Sequence, residues 1–148
     1  MHQHSQINIS LSTNIEIYEN NKLLYTTHNT ITRLGKANIH RLFTTTASIN
    51  KLALSYLKGN VTEDATMFND ANLYDITNTY FTTSSTAGQI IMNFEANIPG
   101  PPSGKSLYRL GLAIGDEVLF TVANAGGIGV GGNPLTVLYQ IKLLLTGV

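Results

Sequence analysis

The chain has 148 residues, with nine basic and nine acidic side chains, a formal net charge of zero and no cysteine. That balance leaves no electrostatic footprint for nucleic acid or an anionic membrane, and the lack of cysteine excludes disulfides and thiolate metal sites. At this length one domain spanning residues 1–148 is the simplest organisation, burying on folding roughly 70% of the surface the unfolded chain exposes.

Only 12% of the residues are charged, about half the usual share for soluble proteins. A surface with so little self-repulsion suits association, and a homo-oligomer is expected. The start, Met1-His2-Gln3-His4, carries neither the apolar run of a signal peptide nor a bilayer-length span, so synthesis in a cytoplasm is expected.

Ile7, Ile9 and Leu11 alternate with Asn8, Ser10 and Ser12, which predicts a first strand with one apolar face, placed at a sheet edge. Ile15–Tyr18 and Leu23–Thr26 flank Glu19-Asn20-Asn21-Lys22, where two asparagines tolerate left-handed dihedrals and close a hairpin. From Thr30 the period changes. Ile31, Leu34, Ile39, Leu42 and Phe43 fall on a helical stripe, with Thr30 as the cap, Arg41 in the last turn and Thr44-Thr45-Thr46 ending the pattern. Gly35 inside that helix costs about 1 kcal/mol relative to alanine, which points to close packing against a sheet.

Ile49–Leu57 reads as a strand ended by Lys58-Gly59-Asn60, and Val61–Ile76, with Glu63, Asp64, Asp70 and Asp75, shows no period and reads as a long loop. Thr79–Thr83 and Gln89–Ile98 follow as strands, the second with Ile90, Met92, Phe94, Ala96 and Ile98 inward. Pro99–Gly104 is a stiff connector. Leu107–Ile114 and Glu117–Ala123 form a hairpin across a two-residue turn, Gly115-Asp116, with glycine supplying the positive φ. Finally Leu135, Val137, Tyr139, Ile141 and Leu143 alternate with Thr136, Leu138, Gln140 and Lys142, so the first set faces a core. The sum is a mainly β chain, an antiparallel β-sandwich of jelly-roll-like character with one short α-helix.

Motifs that could carry chemistry fail on context. Gly127-Ile128-Gly129-Val130-Gly131-Gly132 has the letters of a dinucleotide fingerprint, but Asn133-Pro134 leads into a strand where the pyrophosphate needs a helix N-terminus. Gly104-Lys105-Ser106 imitates the end of a phosphate loop, yet Pro101 and Pro102 remove two of the N–H groups required. His2 and His4 lack further ligands, and Asn69, Asp70, Asn72 and Asp75 lack the glycine and the closing glutamate of a calcium loop. No metal, cofactor or catalytic group is therefore expected, and the chain is read as a non-enzyme. The seven tyrosines could form a sugar-stacking platform, but they are dispersed over different strands and there is no tryptophan, so they are read as amphipathic rim residues of a core or interface. The segment Gly126, Gly127, Ile128, Gly129, Val130, Gly131 and Gly132 is too glycine-rich to pack on itself and is expected to order against a partner, with Ile128 and Val130 filling a groove between subunits.

The order of elements resembles small virion proteins of tailed bacteriophages. The similarity runs through Asn29, Ile31, Gly35-Lys36 and Leu42, then Leu52–Gly59 and Asp70-Ala71-Asn72-Leu73. It continues in Arg109-Leu110-Gly111-Leu112-Ala113, Val118–Ala123 and Leu135–Leu143. The resemblance implies a structural subunit that acts by packing against other virion proteins in a tail, baseplate or fibre attachment, with capsid decoration as cement the alternative. It implies location in the virion after synthesis in a bacterial host, and a trimer by likeness to fibre and cement subunits. A carbohydrate-binding module using the tyrosines and the acidic loop is the rival from another class.

Overall fold

The structure, a computed structural model, describes residues 7–40, 49–83, 88–129 and 132–147. It is a β-sandwich of two antiparallel sheets with one short helix. The first sheet is built from β1 (Ile7–Glu19), β2 (Lys22–Thr27), β6 (Asn78–Thr83), β7 (Gln89–Ile98) and β11 (Leu135–Gly147), in the order β2-β1-β11-β7-β6. The second contains β3 (Thr30–Ile31), β4 (Lys51–Ser55), β5 (Asn72–Asp75), β8 (Leu107–Ile114), β9 (Val118–Leu119) and β10 (Thr121–Ile128), in the order β3-β10-β8-β4-β5 with β9 alongside β8.

Alternation sets the core. The inward residues of β11, namely Leu135, Val137, Tyr139, Ile141 and Leu143, are all buried, as are Met92, Phe94, Ala96 and Ile98 of β7 and Ile15 and Ile17 of β1. They meet Leu52, Leu54, Leu110, Leu112, Phe120, Ala123 and Ala125 from the second sheet. The buried Tyr139 hydroxyl donates to the Leu110 carbonyl at 3.4 Å, and burial pushes its pKa well above the usual tyrosine value.

The opposite face of the second sheet is covered as well. Ala53, Ala113, Leu119 and Val122 pack under Ala65 and Phe68 of the 56–71 segment, making a smaller core. The stretch Val61–Ile76, expected as a long loop with at most one helical turn, contains an unforeseen strand, since Asn72–Asp75 pairs with β4 from Lys51↔Asp75 to Leu54↔Asn72.

Several expectations are corrected. β1 is one strand of 13 residues; Ile15–Glu19 lies between β2 and β11, so the expected edge position suits only the first half, which pairs with β11 alone among the described residues. The Asn20-Asn21 turn is as expected, with φ of 50° and 62° and Glu19 opposite Lys22. The helix, α1, spans only Arg33–Ala37. Thr30 and Ile31 belong to β3, and Thr32 is the cap, its hydroxyl accepting from Gly35 N at 2.8 Å. Leu34, placed on the apolar stripe, is 40% exposed, whereas Arg41, Leu42, Phe43 and Thr44-Thr45-Thr46 lie outside the described residues.

The return from β8 also differs. Ile114 pairs with Val118, so the turn has three residues, Gly115-Asp116-Glu117, and not two. Between the pairs Ala113↔Leu119 and Leu110↔Ala123, two residues of β8 face three, a bulge centred on Phe120. The bulge turns the Phe120 carbonyl outward, where it accepts from Thr32 N at 3.1 Å, while Thr32 Oγ1 donates to the neighbouring Leu119 carbonyl at 2.5 Å. A Cβ on Gly35 would overlap this same carbonyl oxygen, which explains the glycine: the helix is docked backbone to backbone on the bulge.

Candidate binding site

Where β4 runs out and β8 begins, residues 55–59 and 105–109 lie side by side, because Ser55 is the partner of Arg109 in an antiparallel register. Arg109 ties the two segments together. Its Nε donates to the Leu57 carbonyl at 2.9 Å and its Nη2 to Ser55 Oγ at 3.0 Å, while its Cζ lies 4.6 Å from the centre of the Phe68 ring. Asp70 completes the network. Its Oδ1 accepts from Ser55 Oγ at 2.7 Å and its Oδ2 from Tyr56 N at 2.9 Å, with Arg109 Nη2 at 4.0 Å. These charge-assisted bonds hold half-buried groups and pin the 56–71 segment to the sheet.

Two clefts open on either side of this network. The first, of about 450 Å³, is lined by Lys58, Gly59, Val61, Tyr108, Arg109, Asn124, Gly126 and Gly127. The second, of about 420 Å³, is lined by Tyr56, Asp70, Asn72, Tyr74 and Lys105, with Pro99, Gly100 and Pro102 of the connector. Both fall in the size range of small-molecule sites. Each cation reaches across to the aromatic ring of the other segment: Lys58 Nζ sits 5.3 Å from the centre of Tyr108, and Lys105 Nζ 5.8 Å from that of Tyr56. Such exposed pairs contribute about 0.5–1 kcal/mol each. Burial, then the neighbouring Tyr74 and Asp70, raises the Tyr56 phenol above its ordinary pKa, so it keeps its proton and remains a donor.

The residues singled out from sequence fare differently. Gly126 and Gly127, with φ of 73° and 80°, are not loop but part of β10, which extends through Ile128. Positive φ at both explains the glycines, and Gly127 is pressed against Tyr108. Ile128 is half-buried against the main core, so it is not a free side chain awaiting a partner. Gly129 lies against Ser106, and Gly132 against Gly100 of the connector. Val130 and Gly131 lie outside the described residues, as do His2 and His4.

Of the four oxygen donors weighed for calcium, three are engaged elsewhere: Asp70 is taken up by Ser55 and Tyr56, Asn72 donates its side chain to the Asp70 carbonyl at 3.0 Å, and Asp75 pairs with Lys51. Among the described residues no group of three or more His, Cys, Asp or Glu side chains is placed to hold a metal ion. Lys105, the lysine of the phosphate-loop imitation, sits after a Pro102-Ser103-Gly104 turn in which its N–H bonds the Pro102 carbonyl at 2.9 Å.

The tyrosines do lie on or beside different strands, yet three of the seven, Tyr56, Tyr74 and Tyr108, line these two clefts. The role of Arg109 was also missed. The signal was the matching of Ser55-Tyr56-x-Lys58 with Lys105-x-x-Tyr108-Arg109, visible only once β4 and β8 are known to be partners. No family model matches the chain, and neither a curated protein nor a solved structure matches it. Among the described residues, no helix is long and apolar enough to cross a membrane.

Proposed function

We propose that this chain is a structural subunit of a tailed-phage virion, associating with copies of itself and with other virion proteins in the tail, baseplate or fibre attachment, or as cement on the head. The observation that carries the assembly part is the first sheet. Its outer strands, β2 and β6, have no further strand beside them among the described residues, and both carry large exposed apolar side chains: Leu23 (48%), Leu24 (46%) and Phe81 (59%). An edge of this kind is a template for another chain; β6 carries no charged side chain to guard it, and β2 only Lys22 at its start. Sparse charge works in the same direction. Light scattering at micromolar concentration is the test, with a trimer expected and Phe81→Lys or Leu24→Lys returning it to monomer. A clean monomer in the unaltered protein overturns assembly. Position of the gene beside head genes or beside tail genes separates cement from tail component.

A second reading is favoured by one observation. Tyr56, Tyr74 and Asn72 share a single cleft, which brings aromatic faces and hydroxyl-binding groups together as a carbohydrate-binding module requires.

A further inference from the structure

The basic side chains of this neutral protein are not spread evenly. Arg33 and Lys36 pair with Glu63 and Asp64, and Lys51 pairs with Asp75. Lys58, Lys105 and Arg109 instead converge on the two clefts. There Asp70 is the one carboxylate among the described lining residues, and each of its oxygens already accepts a bond, from Ser55 Oγ and from Tyr56 N. The first cleft has no carboxylate among its lining residues. Its polar side chains are Lys58, Arg109, Asn124 and the Tyr108 hydroxyl, and Asn124 Oδ1 is already engaged by Gly126 N at 2.8 Å, which leaves its amide N–H₂ as a donor. Donors therefore predominate, on glycine backbone that lets a ligand approach closely.

From this geometry we infer that the paired clefts form one site for an acidic saccharide. This rests on the carbohydrate reading above and specifies its substrate class. A sugar carboxylate takes Lys58 and Arg109 in the first cleft. An adjoining ring in the second uses Tyr56 and Tyr74 as its platform, with Asn72 and the tyrosine hydroxyls meeting its own hydroxyls. Lys58 and Lys105 are exposed and, among the described residues, rest on tyrosine rings through a weak contact alone, so each can swing from ring to anion and uncover the aromatic face. Arg109 is held by Leu57 and Ser55 and stays fixed, which gives the site one rigid and two mobile cations.

The experiment titrates the full chain with an oligogalacturonate and, separately, with the neutral galactose oligosaccharide of equal length, following binding by calorimetry and backbone amide shifts. The uronate is expected to bind about tenfold tighter than the neutral sugar, as charge-assisted bonds warrant. Shifts should centre on Lys58, Tyr108, Gly126 and Gly127. Lys58→Gln and Lys105→Gln should each weaken the uronate several-fold more than the neutral sugar and reduce the salt dependence. Equal affinity for both sugars overturns the acidic preference and leaves the carbohydrate reading standing. Absence of binding by either overturns both. An oligoglutamate peptide that binds as tightly as the uronate overturns the assignment to a saccharide.

Discussion

Leu138 lies on the outer face of the first sheet, half-buried, and its direct partners are Glu16 on β1 and Glu95 on β7. Replacing it with aspartate would therefore set three carboxylates in a row across three strands. Directly opposed like charges cost about 0.2–1 kcal/mol per pair, so two pairs cost roughly 0.4–2 kcal/mol. Loss of part of the leucine's buried area adds about 1 kcal/mol. Lysine at the same place keeps much of the apolar stem in contact and turns both pairs attractive, so the aspartate and lysine variants should differ by about 1–3 kcal/mol. Ile141, fully buried on the inner face, is a different case. Aspartate there puts an unpaired carboxylate into the core, and Ile141→Asp should prevent stable folding. Urea denaturation of the three variants at low ionic strength gives the order Leu138→Lys, Leu138→Asp, Ile141→Asp, from most to least stable. The register would be refuted by a Leu138→Asp protein as damaged as Ile141→Asp, and the charge argument by one as stable as Leu138→Lys.

Gly35→Ala should destabilise by about 1–2 kcal/mol despite the higher helix propensity of alanine, because its Cβ meets the Phe120 carbonyl and either α1 or the bulge must move; thermal melts check this, and unchanged stability would mean that α1 is not seated on the bulge. Ile128→Ser should lower stability by about 1–2 kcal/mol in the isolated protein, since Ile128 packs on the core; an unchanged melting temperature would make it a free loop residue after all. Glu63 has its pKa lowered first by the hydrogen bond from Lys36 and then by the charge of Arg33. Its folded-state pKa is below the unfolded value, so its small contribution is present above the usual 4.5 and lost as pH falls through the depressed value. Stability curves of the native protein and Glu63→Gln should accordingly converge in acid and separate slightly at neutral pH. Identical curves throughout would show the exposed ion pairs to be energetically silent.

The parts of the fold legible in the sequence are those where one rule acted alone. In Gln89–Ile98 and Leu135–Leu143 strict alternation named the inward faces, and the Asn20-Asn21 pair named its turn through the left-handed dihedrals it adopts. Gly35 was legible as a close approach because nothing else justifies glycine in a helix. Where two rules overlapped, reading failed. Ile31 fits a helical stripe and a strand equally well, and its pairing with Thr121 decides for the strand. Val118–Ala123 is uniformly strand-like, so nothing local marks Phe120 as the extra residue. β5 is only four residues long with both faces partly covered, which leaves no alternation to detect. The site was least legible, since its cations and tyrosines belong to segments joined only by the pairing of β4 with β8.

β1 and β11 are the longest strands and partners along their entire length, from Ile7↔Gly147 to Glu19↔Leu135. The central pairing of the first sheet thus joins residues at the greatest separation in sequence that these elements allow. On a ribosome, β1 emerges before β11 and waits for it, so the first sheet cannot close until synthesis has passed residue 147. Until then β1 offers an unpaired edge to every neighbouring nascent chain. A shortened product that stops before β11 would leave the apolar faces of β1 and β7 open side by side, and its expected fate is aggregation. The strand pairing therefore acts as a timing device: the first sheet gains its central pair only after residue 147 has been made.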